Sequence, residues 1–262
     1  MTTAAVLSLL FALGAAASAH AAEDLRDLCA QRPGKATPPC ILDAGHVQIE
    51  TGLADAVFQR GGGRREDTYS FGASELRFGA TRRIELEAGW SPLVVDTQRG
   101  GARTTGSGDA TLGVLAALTD PDGKGPAVAL QGFVTAPTAT HGLGAGGWTG
   151  GVRLPAAIPL TDTLSLGLTP EIDVLRNAAG GGTHLAWIGV ASLGRSFGKT
   201  ALGAELWAMA DDDPAGRTTQ ASFDLTAAQA IGENLQLDAG ANLGLNHATP
   251  DLEVYVGVAR RF

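Results

Sequence analysis

The sequence predicts an all-β protein, a transmembrane antiparallel β-barrel of about twelve strands with short periplasmic turns and longer outer loops. Three observations predict this fold. The last residues alternate between apolar and polar side chains, about twelve such segments follow one another from residue 45, and the connections between them alternate between short and long. A soluble β-sandwich also has alternating strands, but the three observations together favour a barrel.

The final segment, residues 251–262, shows the alternation most clearly. Apolar side chains occupy the even positions from Leu252 to Val258, whereas Glu253 and Tyr255 lie at odd positions, and the chain ends at Phe262. A period of two is the mark of a strand with one apolar and one polar face. We expect Tyr255 and Phe262 to form a carboxy-terminal signal for the barrel-assembly machinery.

Glycine, proline, aspartate and asparagine divide the chain into segments of alternating polarity. The twelve predicted strands are 45–60, 67–79, 83–96, 107–119, 125–138, 146–160, 163–176, 183–197, 200–210, 217–231, 234–247 and 251–262. Each is long enough to cross the hydrocarbon, which takes roughly 9 to 11 residues of a tilted strand. Short connections at 81–82, 161–162, 198–199 and 233–234, with a slightly longer one at 120–124, take turns with longer ones, as in outer-membrane barrels.

Proline and glycine interrupt several of these strands. The parity of polar residues changes within the second strand, which predicts a bulge near Gly72. Proline lacks the N–H that a ladder needs, so prolines within strands should lie near rims, at bulges or beside loops. These prolines are Pro92, Pro137, Pro155, Pro159 and Pro170.

Composition excludes two classes of protein. The net charge is −8 and the 19 basic residues are scattered, whereas a nucleic-acid surface needs clustered Lys and Arg. No run of 18 or more uncharged apolar residues follows residue 22, so a helical membrane span is not expected there. The 37 glycines also argue against a helix-rich soluble enzyme.

The amino-terminal residues predict export. Residues 1–21 have an apolar centre and end in Ala19-His20-Ala21, which fits a signal peptide cleaved before Ala22. The first three residues lack a basic side chain, so a buried amino-terminal helix is the alternative.

Residues 22–44 form the next predicted unit, and residues 45–262 the barrel. The chain has two cysteines, Cys29 and Cys40, and both lie in this amino-terminal segment. An oxidising periplasm would allow them to form a disulfide, and no metal-ligand partner lies nearby in sequence. The segment could be a plug inside the barrel or a periplasmic extension, and the sequence leaves both open.

Charged residues at the polar parity are the predicted lumen lining. Acidic residues outnumber basic residues ten to three among them, which favours cations or neutral solutes if the lumen holds water. The alternative is a filled interior crossed by ion pairs. The predicted residues are Glu50, Glu75, Arg77, Glu85, Glu87, Asp109, Arg153, Glu171, Asp173, Asp224, Asp238, Glu253 and Arg261.

Aromatic residues are expected at the membrane interfaces. The chain has four Trp, two Tyr and eight Phe. The rings that we assign to strand ends or to the outward face are Trp90, Trp148, Trp187, Trp207, Tyr255 and Phe262. Packing in a protein core is the alternative for any one of them.

Other motifs carry little chemistry. Residues 142–147 have the spacing of a dinucleotide-binding loop, but Trp148 and two glycines follow where a helix should start, so we assign an outer loop. Residues 211–213 are three aspartates without the spacing of a calcium loop. Three histidines, His141, His184 and His247, lie near predicted outer strand ends, whereas His46 does not, and their spacing does not predict a metal site.

Several stretches resemble one outer-membrane family. They are Leu28-Cys29, Arg32-Pro33-Gly34, Thr37-Pro38-Pro39-Cys40, 108–114, 133–138 and 254–262. These residues look like the outer-membrane transporter family of the MetA pathway of phenol degradation, over nearly all of the mature chain. The resemblance implies a Gram-negative outer-membrane barrel that passes small hydrophobic or aromatic compounds, and it supplies no catalytic residues.

The sequence therefore predicts an outer-membrane channel for passive uptake of small molecules, with no cofactor and no metal. Its expected partners are outer-membrane lipid, the assembly machinery and small hydrophobic or aromatic solutes, but not nucleic acid. Two alternatives remain, a closed structural or adhesive barrel and a barrel hydrolase. The sequence indicates no nucleophile for a hydrolase, because the candidate serines look like ordinary polar strand residues. They are Ser107, Ser165, Ser192 and Ser222.

Overall fold

The computed structural model describes residues 25–60, 65–98 and 100–262, which form one antiparallel sheet. The predicted signal peptide lies outside these residues. No helix in the described ranges is long and apolar enough to cross a membrane. The strands are β1 (Val47–Gln59), β2 (Glu66–Phe71), β3 (Ala73–Gly79), β4 (Ile84–Trp90), β5 (Leu93–Gln98), β6 (Arg103–Gly106), β7 (Ala110–Ala117), β8 (Ala127–Ala136), β9 (Thr149–Arg153), β10 (Ala156–Pro159), β11 (Leu164–Arg176), β12 (Thr183–Phe197), β13 (Thr200–Asp211), β14 (Thr218–Ile231), β15 (Leu235–Gly244) and β16 (Leu252–Arg261).

The sheet closes on itself because the last strand pairs with the first. In the β1–β16 ladder, Gln48 lies opposite Arg261 and Phe58 lies opposite Leu252. Closure leaves no sheet edge whose backbone groups would lack partners in lipid. The predicted all-β barrel is confirmed.

Within the described residues, sixteen segments make twelve barrel strands because four barrel strands are interrupted. Both β2 and β3 pair with β1, so they are two parts of one strand. In the same way β4 continues as β5, β6 as β7, and β9 as β10. The predicted number of twelve is therefore confirmed.

Three of the four interruptions lie where the sequence predicted irregular backbone, whereas the break between β6 and β7 was not predicted. Gly72 has a positive φ of 71° and separates β2 from β3, as expected for a bulge. Pro92 lies between β4 and β5, and Pro155 lies between β9 and β10. Pro170 lies within β11, and its carbonyl accepts the Leu154 N–H. The backbone nitrogen of Pro170, which carries no hydrogen, therefore faces the break at Pro155 between β9 and β10.

The two ends of the barrel differ in their connections. At one end, here the turn end, lie the barrel's two termini and the connections 80–83, 118–126, 160–163, 198–199 and 232–234. At the other, the loop end, lie 60–65, 99–102, 137–148, 177–182, 212–217 and 245–251. The connections are mostly shorter at the turn end, as the sequence predicted, with 118–126 as its one long member.

The two faces of the barrel wall have opposite character. Leu86, Leu206 and Leu237 are 45%, 57% and 44% exposed, whereas Glu85 and Asp238 are buried. Apolar side chains outside and charged side chains inside are the reverse of a soluble protein and suit a wall in contact with lipid. The strands therefore form a transmembrane barrel.

Aromatic side chains divide between the two faces. Trp90, Trp148 and Trp187 are about half exposed or more on the outer face. Trp207 and Tyr255 instead face the lumen, so the expectation that they lie outward or at strand ends is wrong. Each lies at the same parity as buried polar residues of its own strand, and each contacts the amino-terminal segment described below.

Candidate functional site

The described part of the amino-terminal segment, residues 25–44, lies inside the barrel at its turn end. Cys29 and Cys40 are joined by a disulfide. The segment bonds to inward side chains of β1, β4, β11, β13 and β16, which lie all around the wall. Only a segment within the lumen can reach all of these strands, so these residues occupy the position of a plug.

One side of the lumen holds the segment through large charged side chains. We call the inward side chains Gln48, Glu50, Arg77, Glu85 and Glu87 the packed wall. Arg77 is fully buried, its Nη1 lies 2.7 Å from Glu50 Oε1, and its Nε lies 2.5 Å from Glu85 Oε1. Such charges are tolerated away from water because each is paired and hydrogen-bonded.

The packed wall also binds the backbone of the segment. Glu50 accepts the N–H groups of Gln31 and Arg32 at 3.0 and 2.9 Å, and Glu85 accepts the Leu42 N–H at 2.8 Å. Arg77 Nη1 donates to the Cys29 carbonyl at 2.7 Å. The same carboxylates therefore pair with Arg77 and fix the segment.

The tip of the segment, residues 32–37, reaches strands β13 to β16 through two cations. Arg32 Nη2 lies 3.0 Å from Asp238 Oδ1, and its guanidinium lies 5.5 Å from the centre of the Tyr255 ring. Lys35 Nζ donates to Ser222 Oγ at 2.8 Å and lies 3.6 Å from Asp224 Oδ2. The same ammonium lies 4.4 Å from the Trp207 ring centre. Both contacts with aromatic faces are attractive for a cation.

The other side of the lumen has small side chains at the turn end. We call these residues of β10 to β14 the open wall, and they are Ala157, Ser165, Gly167, Ser192, Gly194, Ala201, Gly203, Thr226 and Ala228. A cavity of about 300 Å³, the turn-side cavity, lies between them and the segment's Ala30, Pro33 and residues 36–39. The segment does not fill the lumen on this side.

Two further cavities, each of about 460 Å³, lie on the loop-end side of the segment. Trp90 and Phe133 border the first loop-side cavity, and Trp207 and Met209 border the second loop-side cavity. Arg153 borders both of them. Its Nε lies 2.9 Å from Glu171 Oε2 and its guanidinium lies 4.6 Å from the Phe133 ring centre. Glu75 also borders both cavities, and Asp173 borders the second.

The remaining predicted lumen residues have structural contacts. Asp109 accepts the N–H groups of Ala139 and Ala145 at 2.8 Å each and so fixes the loop 137–148. Glu253 accepts from Asn242 at 2.7 Å, and Arg261 donates to the Arg26 carbonyl at 2.6 Å. All three side chains are buried or half-buried.

Sequence reasoning missed several inward carboxylates, among them Asp55 and Glu205. The β1–β16 register shifts between Gly52 and Ala54, which reverses the parity of β1 and turns Asp55 inward, opposite Tyr255. Glu205 accepts the Lys35 N–H at 2.7 Å. Its parity within β13 could have revealed it, because Gly203 and Glu205 alternate with outward Leu202 and Leu206.

The outer histidines do not meet one another in a metal site. His184 Nε2 lies 2.7 Å from Asp211 Oδ1, and its Nδ1 lies 3.0 Å from Asn177 Oδ1. Asp213 accepts the N–H groups of Ala178 and Ala215, and these bonds lower the pKa of that carboxyl. No group of three His, Cys, Asp or Glu side chains suited to a metal occurs among the described residues.

The four candidate serines have no histidine within hydrogen-bond distance in the part of the chain that the structure describes. Ser222 contacts Lys35, whose ammonium is also held by Asp224 and Trp207. Residues 142–147 lie in the loop before β9, and a strand follows them instead of a helix.

A family model described as "Putative MetA-pathway of phenol degradation" matches residues 30–262, which include the tip of the segment and strands β1 to β16. The chain belongs to this family. Its match therefore covers both the barrel and most of the segment inside it. No curated protein matches the chain significantly.

Several solved structures that are similar to this chain are outer-membrane barrels. A COG4313 outer membrane channel from Pseudomonas putida F1 is 17% identical, with a TM-score of 0.65 over 88% of this chain and 99% of that one. The NanC porin is 7% identical, with a TM-score of 0.51 over 82% and 98%. The β domain of the Bordetella autotransporter BrkA is 16% identical, with a TM-score of 0.51 over 84% and 100%. These likenesses support the fold.

Proposed function

We propose that the protein is an outer-membrane channel through which small molecules diffuse passively. The observation that carries this proposal is the position of the cavities. The tip residues Arg32, Ala36 and Thr37 border the second loop-side cavity and also the turn-side cavity. Beside the open wall, therefore, only these tip residues separate the second loop-side cavity from the turn-side cavity.

The charge of the lumen sets which solutes it favours. The basic side chains Arg32, Lys35, Arg77 and Arg153 are each within 3.6 Å of a carboxylate oxygen. Further carboxylates, including Asp55, Glu75 and Asp173, have no ion pair among the described residues. The net negative lining favours cations and neutral solutes over anions. Family membership supports small hydrophobic or aromatic molecules as cargo, and the resemblance to a channel supports transport.

The proposal is tested by solute flux into liposomes that hold the purified, refolded mature chain. The comparison is between the intact protein and a variant lacking residues 22–44, with protein-free liposomes as the blank. We expect measurable flux of small neutral and cationic solutes through the intact protein and a several-fold increase on truncation. Absence of flux from both proteins, when both show heat-modifiable migration, would contradict the proposal.

A closed barrel with a structural role is the second candidate. The fully buried Arg77 network favours it, because it fixes the segment firmly across one side of the lumen. The two functions differ in one result of the same experiment. A closed barrel passes no solute while it is intact and opens only after truncation.

A further inference from the structure

Four apolar side chains face the lumen on β12 and β13. Ile188 lies opposite Met209 and Val190 lies opposite Trp207, so they form two adjacent cross-strand pairs. They border the second loop-side cavity, whereas their strand neighbours Trp187 and Leu206 are outward and exposed. The lumen around this apolar patch is otherwise polar, and its presence therefore needs a physical reason.

The amino-terminal segment covers only part of the patch. Lys35 lies over the Trp207 ring, and Val190 is buried. The side chains of Ile188, Met209 and Trp207 are half-buried and border a cavity of about 460 Å³. Apolar surface that faces a cavity gains free energy when a ligand with its own apolar surface covers it.

Across the same cavity lie carboxylates that have no basic partner. Arg153, Lys35 and Arg32 are paired with Glu171, Asp224 and Asp238. Asp173 and Glu75 border the cavity and have no ion pair within the described residues. Asp173 Oδ1 is buried without a hydrogen-bond donor. A buried carboxylate oxygen in that state is costly unless a donor or a cation reaches it.

The space for Asp173 is created by a neighbouring glycine. Gly151 lies opposite Asp173 in the β9–β11 ladder, and a Cβ at that position would overlap Asp173 Oδ1. The Asp173 carboxylate therefore has room at the border of the cavity because residue 151 is a glycine, which has no side chain.

We propose that the second loop-side cavity is a binding subsite for small apolar ammonium ions. The apolar body of the ligand lies against Ile188, Met209 and Trp207, and its ammonium group donates to Asp173. This inference rests on the proposed function, because the ligand reaches the cavity from the loop end during transit. It narrows the cargo from hydrophobic or aromatic molecules in general to those that carry a protonated amine.

The test is isothermal titration calorimetry on the refolded full chain in detergent micelles, with benzylammonium, benzyl alcohol and benzoate as probes. We expect saturable binding of benzylammonium, at least tenfold weaker binding of benzyl alcohol and no binding of benzoate. Asp173→Asn, which keeps the side-chain shape, should weaken benzylammonium binding at least tenfold, and Met209→Ser should weaken all binding several-fold. Heat-modifiable migration shows that each variant folds.

The matched control is Glu253→Gln, which neutralises a lumen carboxylate that does not border this cavity and should leave binding unchanged within twofold. Equal binding of benzoate and benzylammonium, or unchanged binding in Asp173→Asn, would overturn the subsite. Calorimetric titration measures binding without transport, so the channel proposal and the subsite proposal can each fail while the other stands. Binding without liposome flux removes the channel and keeps the subsite, whereas flux without benzylammonium binding removes the subsite and keeps the channel.

Discussion

The packed wall and the open wall are built from the same kind of antiparallel ladder, yet one fills the lumen and the other leaves a cavity in it. On the packed wall, long charged side chains such as Arg77 and Glu85 fill the lumen and hold the amino-terminal segment. On the open wall, Ser192, Gly194 and Ala201 leave a cavity beside that segment. The difference shows that side-chain size at inward positions decides where the lumen of this barrel is filled and where a cavity remains.

The two walls also differ in their energetics. Each charged side chain on the packed wall needs its partner to remain buried, because the free energy lost by leaving one buried charge unpaired exceeds the net stabilisation from the pair. A small side chain on the open wall has few contacts to lose. Substitutions on the two walls should therefore have different consequences, with loss of stability on one and altered conductance on the other.

The largest effect is expected from Arg77→Leu on the packed wall. The substitution leaves Glu50 and Glu85 buried without their cation, which should lower the free energy of unfolding by about 3–5 kcal/mol. Urea unfolding in detergent, followed by tryptophan fluorescence, measures the change. Ser165→Ala on the open wall is the matched control and should stay within about 0.5 kcal/mol of the wild type. Equal stability of the two variants would remove the contrast between the walls.

An intermediate effect is expected from the double substitution Cys29→Ser/Cys40→Ser. The disulfide closes a loop whose two carbonyls, at Cys29 and Cys40, accept from Arg77. Its loss should lower the free energy of unfolding by about 3 kcal/mol and increase conductance fluctuations, because the loop between residues 29 and 40 is then no longer closed by a covalent bond and the segment gains freedom inside the lumen. Reduced and alkylated wild-type protein should behave alike. Conductance as steady as in the oxidised protein would show that the disulfide does not restrict the movement of the segment.

The smallest effect is expected at Asp122, in the connection 118–126 outside the membrane-spanning strands. Its carboxylate lies 2.7 Å from Arg26 Nε and 2.6 Å from Arg82 Nη2, and these hydrogen bonds lower its pKa to about 2. A lowered pKa stabilises the fold at neutral pH, and this contribution is lost as the pH falls through about 2. Asp122→Asn should therefore lower the unfolding midpoint slightly at pH 7.

That small difference should vanish below a pH of about 2, where both proteins carry an uncharged side chain at position 122. Parallel thermal unfolding of the two proteins at neutral and acid pH measures it. A difference that persists unchanged at acid pH would show that the ion pairs of Asp122 are not its cause.

The barrel could be predicted from the sequence because its determinants are local. A period of two defines each strand, and Gly72, Pro92 and Pro155 mark three of the four breaks within strands. The residues that point inward could be predicted wherever the parity is undisturbed. The prediction of inward residues failed at Asp55. A one-residue register shift in β1 exchanges the inward and outward positions of that strand, and the composition does not reveal it.

The contacts of the lumen could not be predicted because they are long-range. Arg32 meets Asp238, and Lys35 meets Asp224, across most of the chain length. The sequence assigns Trp207 to a strand end or to the outward face, whereas its ring lies against Lys35 inside the barrel. Local periodicity shows which face a side chain is on, but not which segment of the chain it meets.

Single-channel conductance of two tryptophan variants on β12 tests most directly whether solutes pass along the open wall. Ser192 borders the turn-side cavity, whereas its neighbour Ala191 is exposed on the outer face. Ser192→Trp should fill the cavity and lower the conductance several-fold, and Ala191→Trp should leave it unchanged, with both variants heat-modifiable. Equal conductance of Ser192→Trp and the wild type would contradict passage along the open wall.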